Sequence, residues 1–412
     1  MKKMNDVLTS IAKNENISEA LLRKNIKKGL AVILANKNHK NINPIAVGKD
    51  LMVKVNANIG ASPVDLNLAN ELKKLKVATE AGADAVMDLT VSHKSSDIDK
   101  VRNTIIENCR KPIGTVPVYQ AAIESGNPQD MTINNFLKVF EWHAKEGVDF
   151  VTVHAGITKT SLSMVKRRLI PVVSRGGSFL LNWMTKNKQE NFLYRYFDEI
   201  LDIAREYNVT ISLGDGLRPG CLADSTDRAQ IHELRVLGDL ALKARSRGVQ
   251  VIIEGPGHIP LNEIQKNVEL EKEICHGAPF YVLGPLPIDT AAGYDHIACS
   301  IGGALAGYFG ADFLCYVTPK EHIGLPDVED VRQGVIVTKI AASIADIARG
   351  NKTAILRNKL MAKARKHLDW VEMSKYAIDR KKFRGFLNKN PRLKENGCSM
   401  CGDDFCALKI YT

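Results

Sequence analysis

A repeated alternation of short apolar runs and amphipathic segments through the middle of the chain constrains its fold most strongly. Each apolar run has the length of a strand and ends in a polar or glycine-rich turn. The intervening segments repeat apolar residues at about 3.6-residue spacing, as helices do. This alternation predicts parallel strands joined by crossover helices. The candidate strands are Leu51–Ile59, Ala85–Leu89, Ile113–Tyr119, Phe150–His154, Leu169–Val173, Thr210–Gly214, Val251–Glu254, Phe280–Leu283 and Phe313–Val317. The helix-like segments include Leu66–Ala81, Asn134–Lys145, Phe192–Tyr207, Arg228–Arg247 and Leu261–Cys275.

The turns after the candidate strands favour a closed barrel over an open sheet. Nearly every candidate strand is followed by a turn that combines glycine with histidine, arginine or acidic residues, for example in the segments VHAG, SRGG, GDGLRPG and EGPGH. In a barrel the carboxyl ends of all strands meet at one mouth, whereas an open sheet gathers only the turns near its switch point. We therefore expect an α/β fold with a (β/α)8 barrel of the TIM type. One of the nine candidate strands must lie outside it, and periodicity does not identify which.

The two ends of the chain differ from this middle part. The N-terminal region predicts helices and a short extended piece, and the region after the barrel predicts long helices followed by an irregular linker. The expected divisions are an N-terminal cap at 1–50, the barrel at 51–326, a helical extension at 327–385 and a cysteine-bearing tail at 386–412. The expected helices of the extension are Val328–Arg349 and Lys352–Trp370.

Composition and hydropathy exclude several classes of protein. Of the 412 residues, 45% are hydrophobic and 25% are charged, so a mostly disordered chain is excluded. The most apolar stretch, Ile297 to Gly310, is shorter than the ~20 residues that cross a bilayer. The N-terminal sequence MKKMNDVLTS lacks the apolar core of a signal peptide. We expect a cytoplasmic protein with no membrane partner.

The formal net charge of +11 is concentrated near the C-terminus. Between Lys352 and Glu395 there are fourteen Lys/Arg and four Asp/Glu, and the rest of the chain is close to neutral. Such a run is typical of a solvated helix face, and it also attracts phosphate-bearing ligands or nucleic acid. Because no zinc finger or other nucleic-acid motif accompanies it, we expect no nucleic-acid partner.

The cysteines fall into two groups. Five are scattered in or beside apolar segments, where buried free thiols are expected: Cys109, Cys221, Cys275, Cys299 and Cys315. Cys398, Cys401 and Cys406 instead crowd the last fifteen residues in the pattern CSMC-x4-C. Three thiolates suit a soft metal or an iron–sulfur cluster with one open iron, where S-adenosylmethionine binds in radical enzymes. The alternative is a zinc knuckle that a distant ligand completes.

Two histidines and two arginine-bearing turns each follow a candidate strand. His258 and His322 would meet at a barrel mouth as a two-histidine site for Zn²⁺ or Fe²⁺, although each histidine taken alone is better explained as a hydrogen-bonded structural residue. The turns Ser174–Gly177 and Asp215–Gly220 combine glycine with arginine, which suits phosphate binding, although plain tight turns have the same composition.

Long segments of the chain resemble the phosphomethylpyrimidine synthase family, whose members are atypical radical S-adenosylmethionine lyases. The resemblance runs from about residue 20 to the C-terminus. The segments that carry it include KVNANIG, IGTVPVYQA, SRGGSF, SLGDGLRPGCLADSTDRAQ, EGPGH, GADFLCYVTPKEH and CSMC-x4-C. It implies a (β/α)8 barrel in a homodimer, with S-adenosylmethionine, a 4Fe–4S cluster, Zn²⁺ and an external electron donor. It also implies 5-aminoimidazole ribonucleotide as substrate, whose ribose loses hydrogen to a 5′-deoxyadenosyl radical.

The resemblance also implies roles for individual residues. The cluster would be held by Cys398, Cys401 and Cys406, and Zn²⁺ by His258 and His322. The residues implied for the substrate site are Asn58, Met87, Tyr119, His154, Ser174, Arg175, Gly176, Asp215, Gly216, Leu217, Arg218, Glu254 and Tyr281. No residue is assigned a catalytic role.

Departures from the family pattern bear on the product. Thr90–Ser96 replaces a shorter glycine pair, Leu34–His39 departs near the N-terminus, and Ala292 stands where proline is usual. Because bulky residues after the strand that carries Met87 would reshape the pocket, we expect the related anaerobic 5-hydroxybenzimidazole synthase of cobamide biosynthesis, working as a homodimer or with a related chain. The alternative is the family's own reaction, which makes 4-amino-5-hydroxymethyl-2-methylpyrimidine phosphate for thiamine. A non-enzymatic alternative is a basic zinc-knuckle protein that binds polyanions.

Overall fold

A computed structural model describes residues 4–390, 393, 400 and 405–410. By internal contacts the chain divides into two compact units, Met1–Ala345 and Asp346–Thr412. The strands are β1 Ala31–Leu34, β2 Ile45–Gly48, β3 Lys54–Ile59, β4 Ala85–Asp88, β5 Ile113–Thr115, β6 Phe150–Val153, β7 Thr210–Leu213, β8 Val251–Gly255, β9 Phe280–Leu283 and β10 Phe313–Cys315.

The helices connect and surround these strands. They are α1 Met4–Glu15, α2 Glu19–Lys27, α3 Leu68–Ala81, α4 Ser95–Asn108, α5 Pro117–Glu124, α6 Ile133–Glu146, α7 Leu162–Val165, α8 Arg175–Asn187, α9 Phe192–Arg195, α10 Phe197–Tyr207, α11 Arg228–Ser246, α12 Ile264–Ile274, α13 Asp295–Phe309, α14 Val328–Ala348, α15 Lys352–Lys366, α16 Trp370–Tyr376, α17 Arg380–Lys389 and α18 Ala407–Ile410. Short 3₁₀ helices lie at Pro128–Asp130, Lys159–Ser161, Leu222–Asp224 and Leu261–Glu263.

Strands β3 to β10 form the closed parallel barrel that the alternation predicts. Their order around the barrel is β10-β3-β4-β5-β6-β7-β8-β9, with every neighbour parallel. The barrel interior is filled by aromatic side chains, including the fully buried Phe150 and Phe313, whose ring centroids lie 6.2 Å apart. The interior is therefore a packed core, and the strand ends remain for ligand binding.

The prediction of a strand at Leu169–Val173 is wrong. This segment is a loop that side chains hold beside the barrel: the backbone N–H groups of Leu169 and Ile170 donate to the Asp224 carboxylate at 3.0 and 2.9 Å. Pro171 has no N–H to offer a sheet. The other eight candidates correspond to the eight barrel strands, but the strand expected at Ile113–Tyr119 ends at Thr115, and Pro117 begins helix α5.

The N-terminal region contacts the end of the barrel opposite the mouth. Helices α1 and α2 pack on the antiparallel hairpin of β1 and β2 around a small core that includes Leu8 and Leu22. The buried His39 bonds the carboxylate of Asp149 at 2.8 Å, and Asp149 immediately precedes β6. This arrangement leaves the carboxyl ends of the strands uncovered by the hairpin.

The second unit is a set of basic helices. Helix α15 ends at Lys366 instead of continuing to Trp370, and the guanidinium of Arg357 donates to the carbonyls of Tyr376 and Ala377 at 2.8 and 3.0 Å. Basic side chains such as Lys363 are exposed, in agreement with a solvated helix face. No helix of the described residues is long and apolar enough to cross a membrane.

Candidate functional site at the barrel mouth

A cavity of about 530 Å³ lies at the carboxyl ends of the barrel strands. Nine of the thirteen residues implied for the substrate site line it: Asn58, Met87, Tyr119, His154, Ser174, Asp215, Arg218, Glu254 and Tyr281. The strand register brings them together, because Asn58 pairs with Met87 across β3 and β4, and Glu254 pairs with Tyr281 across β8 and β9. Closure of the barrel thus converts distant sequence segments into one wall.

The four remaining residues surround this wall without lining the cavity. Arg175 is exposed, and its guanidinium lies 5.0 Å from the centre of the Tyr119 ring. A Cβ at Gly176 would overlap the His154 ring, so only glycine fits there. Gly216 is buried against Gly177. Leu217 is fully buried, and its backbone N–H donates to Glu233 at 2.8 Å.

The segment Ser174–Gly177 begins helix α8. Ser174 is the N-cap, and its hydroxyl accepts from the Gly177 N–H at 3.1 Å. The Ser174 hydroxyl also lies 3.2 Å from His154 Nε2. A helix N-terminus presents free N–H groups and a partial positive charge, which suit an anion.

Burial sets the charges in the cavity. It raises the pKa of Asp215 to about 7, although the Arg218 guanidinium 3.0 Å away acts in the opposite direction. Burial also lowers the pKa of His154 to about 3, so this imidazole is neutral. Glu254 is held by two hydroxyls, since its Oε1 accepts from Thr152 and Ser212, each at 2.7 Å. The cavity therefore combines a neutral imidazole, a guanidinium and buried carboxyl groups.

Sequence reasoning missed several lining residues. Thr152 precedes His154 by two positions and so shares its face of β6, which was an available signal. Cys315 was expected to be an ordinary buried thiol; it is buried, but its Sγ lies 3.1 Å from Asn58 Nδ2 in the cavity wall. Burial raises the pKa of Cys315 to about 12, so it remains a thiol. The other four scattered cysteines are also buried and free.

His258 and His322 meet beside this cavity. Their Nε2 atoms lie 3.3 Å apart, and their Nδ1 atoms lie 2.7 Å from Asp289 and 3.0 Å from Asp295. When each Nδ1 donates to its carboxylate, each Nε2 is free to act as a ligand, and two facing Nε2 atoms at this separation suit a shared cation. The pair thus fits a metal ion. Within the described residues no group of three or more His, Cys, Asp and Glu side chains is arranged to hold one.

Most of the cysteine motif lies outside the description. Cys398 and Cys401 fall outside the described residues, so the structure does not place them. Cys406 is described and buried, just before α18.

Comparisons with known proteins identify the class of this barrel. The family model described as "Radical SAM ThiC family" matches residues 1–412. Phosphomethylpyrimidine synthase of Caldanaerobacter subterraneus subsp. tengcongensis is 53% identical over 408 residues, covering 98% of this chain and 94% of that protein. The Methanocaldococcus jannaschii phosphomethylpyrimidine synthase is 52% identical over 404 residues, covering 97% of this chain and 94% of that protein. Among solved structures, Xanthomonas albilineans dihydropteroate synthase covers 77% of this chain and 98% of its own, with 12% identity and a TM-score of 0.47, which is too remote to carry an argument.

The barrel with its mouth cavity is thus a radical S-adenosylmethionine enzyme of the lyase type. The chain belongs to the Radical SAM ThiC family. Membership implies a 4Fe–4S cluster and S-adenosylmethionine as cofactors.

The expectation of a 5-hydroxybenzimidazole product is wrong. The similar proteins over nearly the whole chain are phosphomethylpyrimidine synthases. The structure gives the physical reason, because none of residues 90–96, all of them described, lines the cavity. Thr90 is buried on Asp88, Ser92 donates to Asp97, and His93 is exposed. The side chains of this departure therefore do not form the cavity wall.

Proposed function

We propose that this protein is a phosphomethylpyrimidine synthase, which converts 5-aminoimidazole ribonucleotide to 4-amino-5-hydroxymethyl-2-methylpyrimidine phosphate for thiamine. The observation that carries the proposal is the convergence of nine expected substrate residues on one mouth cavity. The same reaction is supported by relatives named phosphomethylpyrimidine synthase, which share about half of their residues with this chain over almost the full length.

The phosphate would bind at the start of α8. Ser174, Arg175 and Gly176 offer a hydroxyl, a guanidinium and a backbone that approaches closely. Arg218, in the 215–218 turn with Asp215, Gly216 and Leu217, supplies a second positive charge, and Asp215 orients its guanidinium. Two arginines and a helix N-terminus suit a dianionic phosphate.

The imidazole and ribose would occupy the deeper wall. Asn58, Glu254 and Tyr281 offer amide, carboxylate and phenol hydrogen bonds there, and His154 is a neutral imidazole that donates or accepts. Met87 and Tyr119 provide apolar surface that excludes water around the reacting ribose. The protein thus positions the substrate and shields a radical, and no residue here needs to supply the radical itself.

The cofactor ligands are proposals of the same kind. His258 and His322 would hold Zn²⁺, and Cys398, Cys401 and Cys406 would hold the 4Fe–4S cluster, since three thiolates in CSMC-x4-C fit a cluster with one open iron. When bound, the cluster supplies the electron that cleaves S-adenosylmethionine to a 5′-deoxyadenosyl radical. An external donor must replace that electron.

The wider organisation follows the family expectation. We propose a homodimer, with a cap at 1–50, the barrel at 51–326, the helical extension at 327–385 and the cluster-binding tail at 386–412. Light scattering of the anaerobic protein measures the dimer directly, and a monomer at micromolar concentration would contradict it.

The deciding experiment is anaerobic turnover with the reconstituted protein, 5-aminoimidazole ribonucleotide, S-adenosylmethionine and a strong reductant. Mass spectrometry should find the pyrimidine phosphate and 5′-deoxyadenosine. C398A, which lacks a cluster ligand, is the matched negative control. A cluster-loaded protein that cleaves S-adenosylmethionine without forming the pyrimidine phosphate would contradict the proposed function.

A further inference from the structure

A second cavity of about 330 Å³ lies beside the substrate cavity, between α11, α12 and the ends of β7 and β8. The two cavities share the side chains of Asp215, Arg218 and Glu254. The remaining polar wall comes from Glu233 and Gln230 on α11 and Asn267 on α12. None of the latter three was assigned a role above, so this cavity presents unassigned polar groups next to the substrate turn.

Two carboxyl oxygens in this wall have no hydrogen-bond partner among the described residues. Glu233, which is 2% exposed, accepts from the Leu217 N–H through Oε2, and its Oε1 is unpartnered. Asp215, which is 7% exposed, bonds Arg218 through Oδ1, and its Oδ2 is unpartnered. Buried polar atoms are rarely left in this state, so each oxygen requires either a proton or a donor.

The charge around the cavity favours a bound proton. Three carboxyl groups, from Asp215, Glu233 and Glu254, face the single guanidinium of Arg218. The neighbouring Arg168 is already committed to Asp227 at 2.7 Å and to the Leu217 carbonyl at 2.6 Å. Three carboxylates do not all stay ionised beside one cation in a buried site.

Glu233 is the best holder of that proton. Glu254 has two hydroxyl donors and Asp215 has a guanidinium, and these contacts oppose the increase in pKa that burial causes in both carboxyl groups. Within the described residues Glu233 has one donor, the Leu217 N–H, and burial followed by the nearby Asp215 raises the pKa of Glu233 well above its ordinary value. A protonated Glu233 supplies the one donor that the Asp215 oxygen lacks.

We propose that Glu233 holds a proton and donates it in a hydrogen bond toward Asp215 Oδ2, directly or through an ordered water in the cavity, and so acts as a positioning residue for the substrate-binding turn 215–218. The same side chain fixes the turn twice, since its other oxygen holds the Leu217 N–H. Asp215 then stays ionised on Arg218, which keeps that guanidinium aimed at the substrate. This inference rests on the proposed function for its ligand but not for the location of the proton.

The first test compares E233Q and E233L for binding of 5-aminoimidazole ribonucleotide by calorimetry, without S-adenosylmethionine, from pH 6.5 to 9. E233Q keeps an acceptor for Leu217 and a donor for Asp215, so its affinity should stay within about threefold of wild type. In E233L, Asp215 must take up the proton itself, so binding at pH 6.5 should fall roughly tenfold and recover as rising pH ionises Asp215. Dividing the E233L affinity by the wild-type affinity at each pH cancels the effect of titrating the ligand's own phosphate.

A purely structural role predicts a different result, because loss of the Leu217 acceptor would weaken binding equally at every pH. An E233L-to-wild-type ratio that does not change with pH, or an E233Q loss as large as that of E233L, would overturn the proposal. The matched control is E271Q, which changes an equally buried glutamate on α12 outside this wall and should leave affinity unchanged.

The second test needs no substrate. The infrared carbonyl band of the protonated Glu233 carboxyl group should be present in wild type and absent in E233Q, so it should appear as a positive band in the wild-type-minus-E233Q difference spectrum. Retention of the same band in E233Q would place the proton elsewhere and overturn the proposal. If wild type fails to bind the ribonucleotide, the proposed function is contradicted, while the spectrum still decides where the proton lies.

Discussion

The Nε2 atoms of His258 and His322 lie 3.3 Å apart, at the ends of side chains that are 64 positions apart in sequence. The Nδ1 atom of each ring contacts an aspartate carboxylate that orients the ring, Asp289 for His258 and Asp295 for His322. Asp295 is 1% exposed, so its orientation is fixed by the surrounding protein. Because each aspartate orients one ring, we expect both to contribute to the metal affinity proposed for this pair.

Removing the buried aspartate should weaken zinc binding without removing a ligand. D295N loses the charge that orients His322, and such supporting residues typically contribute about 10–100-fold in metal affinity. Chelator competition measures this affinity. H258A should lose the metal altogether, and D327N, which changes an exposed aspartate, is the control. Full zinc content in H258A would contradict the assignment of this pair.

Glycine at position 176 should be required for substrate binding. A Cβ there would overlap the buried imidazole of His154, so G176A forces that ring or the start of α8 to move. We expect a substrate affinity at least about tenfold weaker in G176A. Inserting a methyl group into a packed site typically costs about 1–3 kcal/mol, so cooperative unfolding should be retained. The control is G324A, since a Cβ at Gly324 meets nothing within 4 Å. Unchanged affinity in G176A would show that the His154 ring or the start of α8 can move without weakening substrate binding.

The alternation in the sequence was enough to predict the barrel but not its exact membership. Eight apolar runs became barrel strands, whereas Leu169–Val173 has the same apolar character and is a loop. The difference lies in long-range partners: Asp224 takes the N–H groups of this segment, and no local pattern reveals that bond. The hairpin of β1 and β2 was expected only as an extended piece, because its pairing is also set by residues distant from each strand.

The candidate site, like the fold, could be predicted from the sequence only in part. Residues such as Asn58 and Glu254 were recognised from long specific motifs, and the register of the barrel brings them together. Glu233 lies inside an amphipathic helix, where a glutamate is usually solvent-facing, and its role depends on burial against the 215–218 turn. The product expectation failed because a sequence difference at Thr90–Ser96 does not show which side chains face the cavity.

The bond between His39 and Asp149 should make stability depend on pH. Burial alone lowers the pKa of His39, but the hydrogen bond and charge of Asp149 raise it overall above its usual 6.5. A raised histidine pKa contributes stability that is complete below pH 6.5 and is lost as pH rises through the folded-state pKa. The free energy of unfolding should therefore fall from pH 6 to 9 more steeply in wild type than in H39Q.

Denaturant titrations at each pH measure this difference, and below pH 6.5 H39Q should be less stable by about 1.5–3 kcal/mol, as expected for a hydrogen bond to a charged group. H93Q changes an exposed histidine and should follow wild type. Parallel wild-type and H39Q curves would show that His39 does not titrate in this range.

Arg175 should distinguish the phosphorylated ligand from its nucleoside. Its guanidinium lies over the Tyr119 ring at 5.0 Å, next to the N-terminus of α8 where the phosphate is proposed to bind. R175A removes a charge-assisted contact of about 1.5–3 kcal/mol, which corresponds to roughly 10–150-fold in affinity for 5-aminoimidazole ribonucleotide. The dephosphorylated nucleoside has no partner for this charge, so its affinity should change little.

R175K keeps the charge but loses the planar two-donor geometry, so its affinity for the ribonucleotide should fall between those of wild type and R175A. R167A, at an exposed arginine outside the cavity wall, should bind both ligands as wild type does. Calorimetry with each ligand measures the pair of affinities, and equal losses for ribonucleotide and nucleoside in R175A would show that Arg175 acts through the Tyr119 ring instead of the phosphate.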